Sequence, residues 1–363
     1  MQGFLPHNGV ATVTQYIEAT QNVVGMGLAL ATFLSVLGGA LDGNILTWSM
    51  GGTPDGLLGG ALNGNGLSGS HNKYEADASP TRPDLYQAGN NYKLVLSQFQ
   101  GLVDASPGGV TLDSLAAYRS LRFDQQVQTN PYFFNGPFTG VLVQPAGYTF
   151  IYRFMANHSA DNPVGYLSSE VLQSWFGVEG TSGNYKVVEN SERIPENWVS
   201  KPNSRPSFFL SFFLSFFLSF PPLFHNTYTN VCTNSPPQYR RAIEYPYDTP
   251  YFVADALAAA ALHPKFLNVG GNTGTPNSFV GVDVADLSGG LFNSASLLEG
   301  NNLACFVYQV AAQAKPDLLL GALTALTDIV GDLVGTLACP ELQSIDADAL
   351  KQFPGYQRNS VYG

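Results

Sequence analysis

The stretch His71-Asn72-Lys73-Tyr74-Glu75-Ala76-Asp77-Ala78-Ser79-Pro80-Thr81-Arg82-Pro83-Asp84-Leu85-Tyr86 gathers acids, bases and a hydroxyl in a chain that is otherwise weakly charged. Glu75, Asp77 and Ser79 alternate, so an extended backbone would turn all three side chains the same way. Two carboxylates and a hydroxyl are hard oxygen donors, which suit Mg²⁺ or Ca²⁺ over a soft metal. Pro80 and Pro83 keep the flanks out of helix. Spacing alone leaves a plainer reading open, a solvated turn with an Arg82–Asp84 ion pair.

Around this stretch, the 363 residues are 45% hydrophobic and only 12% charged, with a formal net charge of −11. That is enough apolar material for a sizeable core. An acidic chain without a Lys/Arg cluster is a poor partner for nucleic acid or an anionic membrane. Three cysteines occur, Cys232, Cys305 and Cys339, and no pair has the close spacing of a zinc site. Cys305 and Cys339 flank an apolar helical stretch; pairing in an oxidising compartment and two buried thiols both remain open. Met1-Gln2-Gly3-Phe4 has neither a basic leader nor an apolar run, and we expect further sequence, including a signal peptide, ahead of it.

Helical periodicity dominates, and sustained strand alternation is almost absent, so the expected class is all-α, one helical domain with long loops and few or no strands. The pattern predicts a first helix over residues 10–37, ended by Gly38-Gly39 and Asp42-Gly43. Its apolar run, Val23–Gly39, is short of the roughly 20 residues a membrane span needs, so a buried helix is expected. Further helices are predicted at Asn91–Val103, from an N-cap at Thr111 to about Gln128, at Leu167–Phe176, Tyr251–Leu262, Asn301–Ala314 and Asp317–Leu337. Residues 138–156 form an apolar, aromatic segment interrupted near Pro145, and Gly270–Gly290 reads as loop. Asn157-His158-Ser159 is a glycosylation sequon, usable only in a secreted chain.

Residues 199–238 stand apart. Ser207–Phe220 reads SFFLSFFLSFFLSF between proline-rich flanks. A globular helix varies its polar face, and this run has only serine. Exposed, it would invite aggregation. Val199-Ser200 can be encoded as a splice donor, the Ser/Phe/Leu run as a pyrimidine tract, Thr229-Asn230 as a branch point and Gln238 as an acceptor. We therefore expect 199–238 to be an in-frame retained intron. Its removal joins Trp198 to Tyr239, leaving one domain made of 1–198 and 239–357 and a tail, 358–363.

Glu75-Ala76-Asp77-Ala78-Ser79, followed by Arg82 and Asp84, resembles the metal motif of the heme haloperoxidase family, the fungal chloroperoxidase-like heme-thiolate peroxidases and peroxygenases. Gly3-Phe4-Leu5-Pro6-His7-Asn8-Gly9, Gln128-Thr129-Asn130-Pro131 and Tyr148-Thr149-Phe150-Ile151-Tyr152-Arg153-Phe154-Met155 resemble other segments of the family, in the same order. The nearest flavour is the branch found in fungal polyketide-toxin pathways. The resemblance implies a chloroperoxidase-like fold, heme b and Mg²⁺ as cofactors, hydrogen peroxide and a small organic molecule as substrates, secretion, and a late disulfide, here Cys305–Cys339. It places the cation on Glu75, the Ala76 carbonyl and Ser79, with Asp77 as the acid of the motif and the only catalytic candidate.

Two parts of that pattern are missing. The family's iron ligand is a cysteine in a Pro-Cys-Pro segment just ahead of the part that Gly3–Gly9 resembles, and we expect it to be encoded upstream of Met1. Cys339-Pro340 sits at the wrong end of the chain to replace it. The family's distal glutamate has no counterpart in Pro137–Gln144, where Gln144 can hydrogen-bond but cannot take a proton; neither Asp161 nor Glu170 stands out as a substitute. His7 reads as part of a turn; for His71, contact with a heme propionate and plain packing are both open. A non-catalytic chain with the fold but no iron ligand is the alternative to an enzyme. A secreted metal-binding structural protein is a weaker third reading.

Overall fold

A computed structural model describes residues 3–54, 64–159, 161–200, 247–313 and 339–357. Helices supply most of its ordered structure, with three small antiparallel sheets between them: β1 (Val10–Thr12) with β2 (Thr47–Ser49), β3 (Phe134–Asn135) with β6 (Gly270–Asn272) and β7 (Phe279–Gly281), and β4 (Val178–Glu179) with β5 (Lys186–Val187). The all-α expectation holds at the level of architecture.

The front of the chain is a helical hairpin. β1 (Val10–Thr12) runs into α1 (Val13–Val24), where Thr12 and Gln15 form a reciprocal capping box. α2 is Leu28–Asp42. The single helix expected over 10–37 is therefore two. Gly25 adopts the left-handed conformation that closes α1, and a Cβ on Gly27 would lie 2.2 Å from the Asp248 carboxylate. Gly38 and Gly39 do not end α2, which runs on to Asp42. Gly38 is small because the Trp48 indole of β2 (Thr47–Ser49) lies against it, 2.6 Å from any added Cβ.

The middle of the chain holds α3 (Leu85–Ala88), α4 (Leu96–Asp104), α5 (Leu112–Thr129), α6 (Gln144–Met155) and α7 (Ser169–Phe176). Thr111 caps α5 as its sequence predicts. Pro145 does not break the 138–156 segment. It lies in the first turn of α6, where a missing N–H costs nothing, and a single π-turn, Thr139–Val143, precedes it. Helix α4 starts later than Asn91, after a loop whose Val95 N–H bonds to the Thr81 carbonyl at 2.9 Å.

Past residue 246, α8 (Thr249–Leu262) returns to the front of the molecule. Asp248 caps α8, and its Oδ1 also accepts the Leu30 N–H of α2 at 2.7 Å. The stretch read as loop, Gly270–Gly290, contains a hairpin, β6 (Gly270–Asn272) with β7 (Phe279–Gly281), and the short α9 (Val284–Leu287). Glycine-rich β6 escaped notice because its role is close backbone approach: a Cβ on Gly270 would meet the Val280 carbonyl at 2.1 Å. α10 (Asn302–Gln313) is tied by a Cys305–Cys339 disulfide to the following segment, and α11 (Pro354–Gln357) ends the described chain.

The main core draws on residues from both sides of 201–246, from Leu30, Phe33 and Leu37 of α2 to Phe252 and Val253 of α8, Leu303 and Phe306 of α10, and Phe353. Val199 and Ser200 are the only described residues of 199–238, and the predicted helix Asp317–Leu337 lies outside the described residues. Among the described residues no helix is long and apolar enough to cross a membrane.

Candidate functional site

The backbone of residues 70–84 is folded on itself and then clamped from below. The Ser70 carbonyl accepts the N–H groups of Lys73, Tyr74 and Glu75 at 3.0–3.1 Å, and Asn72 N–H closes on the Glu75 carbonyl at 2.8 Å. Three successive carbonyls are then taken by side chains of two helices. Gln144 Nε2 donates to the Asp77 carbonyl, Tyr148 Oη to that of Ala78 at 2.7 Å, and Arg122 Nε to that of Ser79 at 3.1 Å. Gln144 and Tyr148 are four apart on α6, hence on one face. Arg119, three residues before Arg122 on α5, braces Gln144 and the Gly140 carbonyl of the π-turn. It is fully buried against the Phe266 ring, and burial lowers its pKa to about 9.

This clamp changes the geometry that the alternation suggested. Ala78 has φ +61°, so the segment is not extended between Asp77 and Ser79, and the three side chains do not share one side. The Glu75 carboxylate is partly buried; its Oε2 accepts from Asn91 Nδ2 at 3.1 Å and lies 2.7 Å from His71 Nδ1. Asp77 is fully buried, with Oδ2 accepting the Phe134 N–H at 2.9 Å. Ser79 Oγ accepts the Arg82 N–H at 3.2 Å. The Arg82–Asp84 pair does not form. Arg82 lies over the Phe176 ring, while Asp84 caps α3 through Tyr86 N–H and takes a second bond from Asn130 Nδ2.

His71, left open between a propionate contact and packing, is the hub of the acids. Its Nε2 lies 3.5 Å from Asp77 Oδ1 and 3.9 Å from Asp84 Oδ1, with the edge of Tyr86 at 4.8 Å between ring centroids. Burial pushes its pKa down, but Glu75 and then Asp84 outweigh this, and the net shift is upward. Burial, then Asp84 and Glu75, hold the Asp77 carboxyl well above the usual range. Glu75 Oε1, Asp77 Oδ1 and His71 Nε2 are buried atoms without a hydrogen-bond partner. On the outer side, Lys73 Nζ pairs with the buried Asp42 at 2.6 Å.

Chemically, Glu75 Oε1 and the Ala76 carbonyl, which none of the clamping side chains takes, fit a hard cation, with Ser79 Oγ nearby in the chain. Gln144, in the stretch that lacks a carboxylate, has a structural role between Arg119 and the Asp77 carbonyl. Asp161 is exposed. Glu170, exposed in the first turn of α7, lines an open polar groove of about 600 Å³ with Gln173, Glu179 and Arg193, a groove that shares no residue with the acidic loop. His7 is exposed in a turn closed by Gly9 N–H on the Pro6 carbonyl. The sequence singled out Glu75, Asp77 and Ser79; it did not single out Asn91, which bonds Glu75, Arg122, which holds the Ser79 carbonyl, or Asn130, which bonds Asp84. The spacing of His71 and Glu75, four apart, was the one local signal available.

Residues 1–203 match the family described as "Peroxidase, family 2". The chain is similar to the aromatic peroxidase fscJ of Fusarium equiseti, with 32% identity over 99% of this chain and 78% of that protein. It is 33% identical to the dothistromin biosynthesis peroxidase dotB of Dothistroma septosporum, over 98% of this chain and 79% of that one. An aromatic peroxygenase of Coprinellus radians is 30% identical over 56% of this chain and 80% of its own length.

Proposed function

The chain belongs to the family-2 peroxidases, and from that premise we propose that it oxidises a small organic substrate with hydrogen peroxide as a secreted heme-thiolate peroxidase or peroxygenase. The observation that carries this reading is the clamped acidic loop. Three consecutive carbonyls are fixed by Gln144, Tyr148 and Arg122 while Glu75 keeps a buried oxygen without a partner. Such a loop is held ready for a cation, and Glu75, Ala76 and Ser79 are the proposed Mg²⁺ ligands. Asp77 is the proposed acid of the motif; its raised pKa keeps a proton available in the interior.

Heme b is the cofactor this reading implies, and a thiolate on its iron favours cleavage of the peroxide O–O bond. The described residues do not fit that ligand. Cys305 and Cys339 are joined to each other, so neither offers a thiolate, and Cys232 lies outside the described residues. This favours a second reading, a chain with the peroxidase fold and cation loop but no turnover of its own.

The two readings separate by titrating hemin into this chain and into the same chain carrying a Pro-Cys-Pro segment ahead of Gly3. The first predicts thiolate-type reduced-carbonyl spectra and peroxide-dependent oxidation of a small aromatic once the sulfur is supplied. Absence of turnover in both, with the fold intact, leaves the second. We also propose that 1–198 and 239–357 form one domain interrupted by a retained intron. The shared core and the Asp248 bond to Leu30 support this. Spliced transcripts that keep 199–238 would refute it.

A further inference from the structure

Beside α3, three acceptor atoms face one another. His71 Nδ1 is held by Glu75 Oε2 at 2.7 Å, which aims Nε2 inward. Nε2 lies 3.5 and 3.9 Å from Asp77 Oδ1 and Asp84 Oδ1, and the three atoms lie within 4.8 Å of one another. His71 is 4% exposed, Asp77 1% and Asp84 3%. Neither His71 Nε2 nor Asp77 Oδ1 has a hydrogen-bond partner. Asp77 Oδ2 is committed to Phe134 N–H and Asp84 Oδ2 to Asn130, while Asp84 Oδ1 accepts the Tyr86 N–H at 3.3 Å and keeps one acceptor position. Buried acids this close to one another are relieved by a proton or by a cation among them, and the two unpartnered atoms are placed to hold the cation.

We infer that His71 Nε2, Asp77 Oδ1 and Asp84 Oδ1 form a buried site for one divalent cation of the zinc–cobalt–manganese class, separate from the oxygen set of Glu75, Ala76 and Ser79. One imidazole nitrogen with two carboxylates suits these borderline ions, whereas Mg²⁺ prefers oxygen alone and keeps its waters. Donors at the corners of a tetrahedron with such bonds are about 3.3 Å apart, so the two separations from His71, 3.5 and 3.9 Å, need only a small contraction. Glu75 then does what carboxylates behind metal-bound histidines do: it fixes the tautomer and the ring orientation. Its Oε2 is used on the histidine, and its Oε1 stays free for the neighbouring oxygen set. The inference needs no heme and does not depend on peroxidase turnover.

Cobalt is the probe. The full chain is produced in cobalt-supplemented medium, because a buried site fills as the chain folds, and is then dialysed against excess Mg²⁺. The expected result is about one Co²⁺ per chain, a visible ligand-field band, and X-ray absorption showing imidazole and carboxylate donors. His71→Gln and Asp84→Asn should each lower the retained cobalt more than about tenfold, and Glu75→Gln should weaken it by about 10–100-fold. The inference is overturned by wild-type protein that retains no stoichiometric cobalt, by displacement with Mg²⁺, or by undiminished cobalt in His71→Gln. Where a variant fails to fold by circular dichroism, the wild-type absorption spectrum decides, and a spectrum without imidazole rejects the site.

Discussion

Two of the buried charged clusters among the described residues are built on opposite rules. At the junction of α6 and α8, Arg153 meets Asp255 through two hydrogen bonds of 2.9 and 2.8 Å, and the Tyr247 hydroxyl donates to Asp255 Oδ2 at 2.9 Å. One guanidinium answers one carboxylate, and both carboxylate oxygens are bonded. In the acidic loop, Glu75, Asp77 and Asp84 surround a single imidazole, and Glu75 Oε1, Asp77 Oδ1 and His71 Nε2 are left over. Unanswered buried polar atoms cost stability. A balanced pair holds two stretches of chain together; an unbalanced cluster, clamped by the helices beneath it, marks a place that receives something.

The comparison is most easily broken by removing one acid from each cluster. Asp255→Ala strands a buried guanidinium and should cost about 3–5 kcal/mol in chemical denaturation. A loss below about 1 kcal/mol would mean the junction is not the balanced pair described. Next in size is the clamp. Tyr148→Phe leaves the buried Ala78 carbonyl without its donor and should cost about 1–3 kcal/mol; an unchanged unfolding midpoint would show that the loop does not depend on α6. Asp77→Asn should behave in the opposite way to Asp255→Ala. In metal-free protein it removes one of three crowded acids, and stability should stay within about 1 kcal/mol of wild type or rise. A loss as large as that of Asp255→Ala would erase the distinction between the clusters.

The smallest effect concerns Asp42, a buried acid outside both clusters, which stands between the two cases. Burial raises its carboxyl pKa, with Lys73 pulling it partly back. The folded chain therefore holds this proton more tightly than the unfolded chain. The contribution is complete below the ordinary carboxylate value of 3.8 and is lost as pH rises through the folded-state value. Asp42→Asn should flatten that part of the stability–pH curve, and a slope unchanged in the variant would assign it to another group.

Much of the fold was legible because its signals are local. Thr111 before the helical run of α5, Gly43 after that of α2, and the alanine-rich run of α8 each act within a few residues. What stayed hidden depends on distant partners. Nothing near Gly27 announces the Asp248 carboxylate that requires it to lack a side chain, and nothing in Gly270-Gly271 announces the strand packed against them. The acidic loop shows both sides. Its residue types announced a cation site, but the left-handed turn at Ala78 has no glycine to betray it, and the donors that fix the loop come from residues 122, 144 and 148. Local alternation therefore suggested one shared face where the tertiary clamp makes two.

The central claim, that the unbalanced loop is built to receive cations, is tested most directly by thermal melting of the intact chain against increasing Mg²⁺, started from chelator-treated protein. A cation bound only by the folded state raises the melting temperature with its concentration. The account predicts such a rise in wild type and its loss in Glu75→Gln; a flat wild-type response, or an equal rise in the variant, would contradict it.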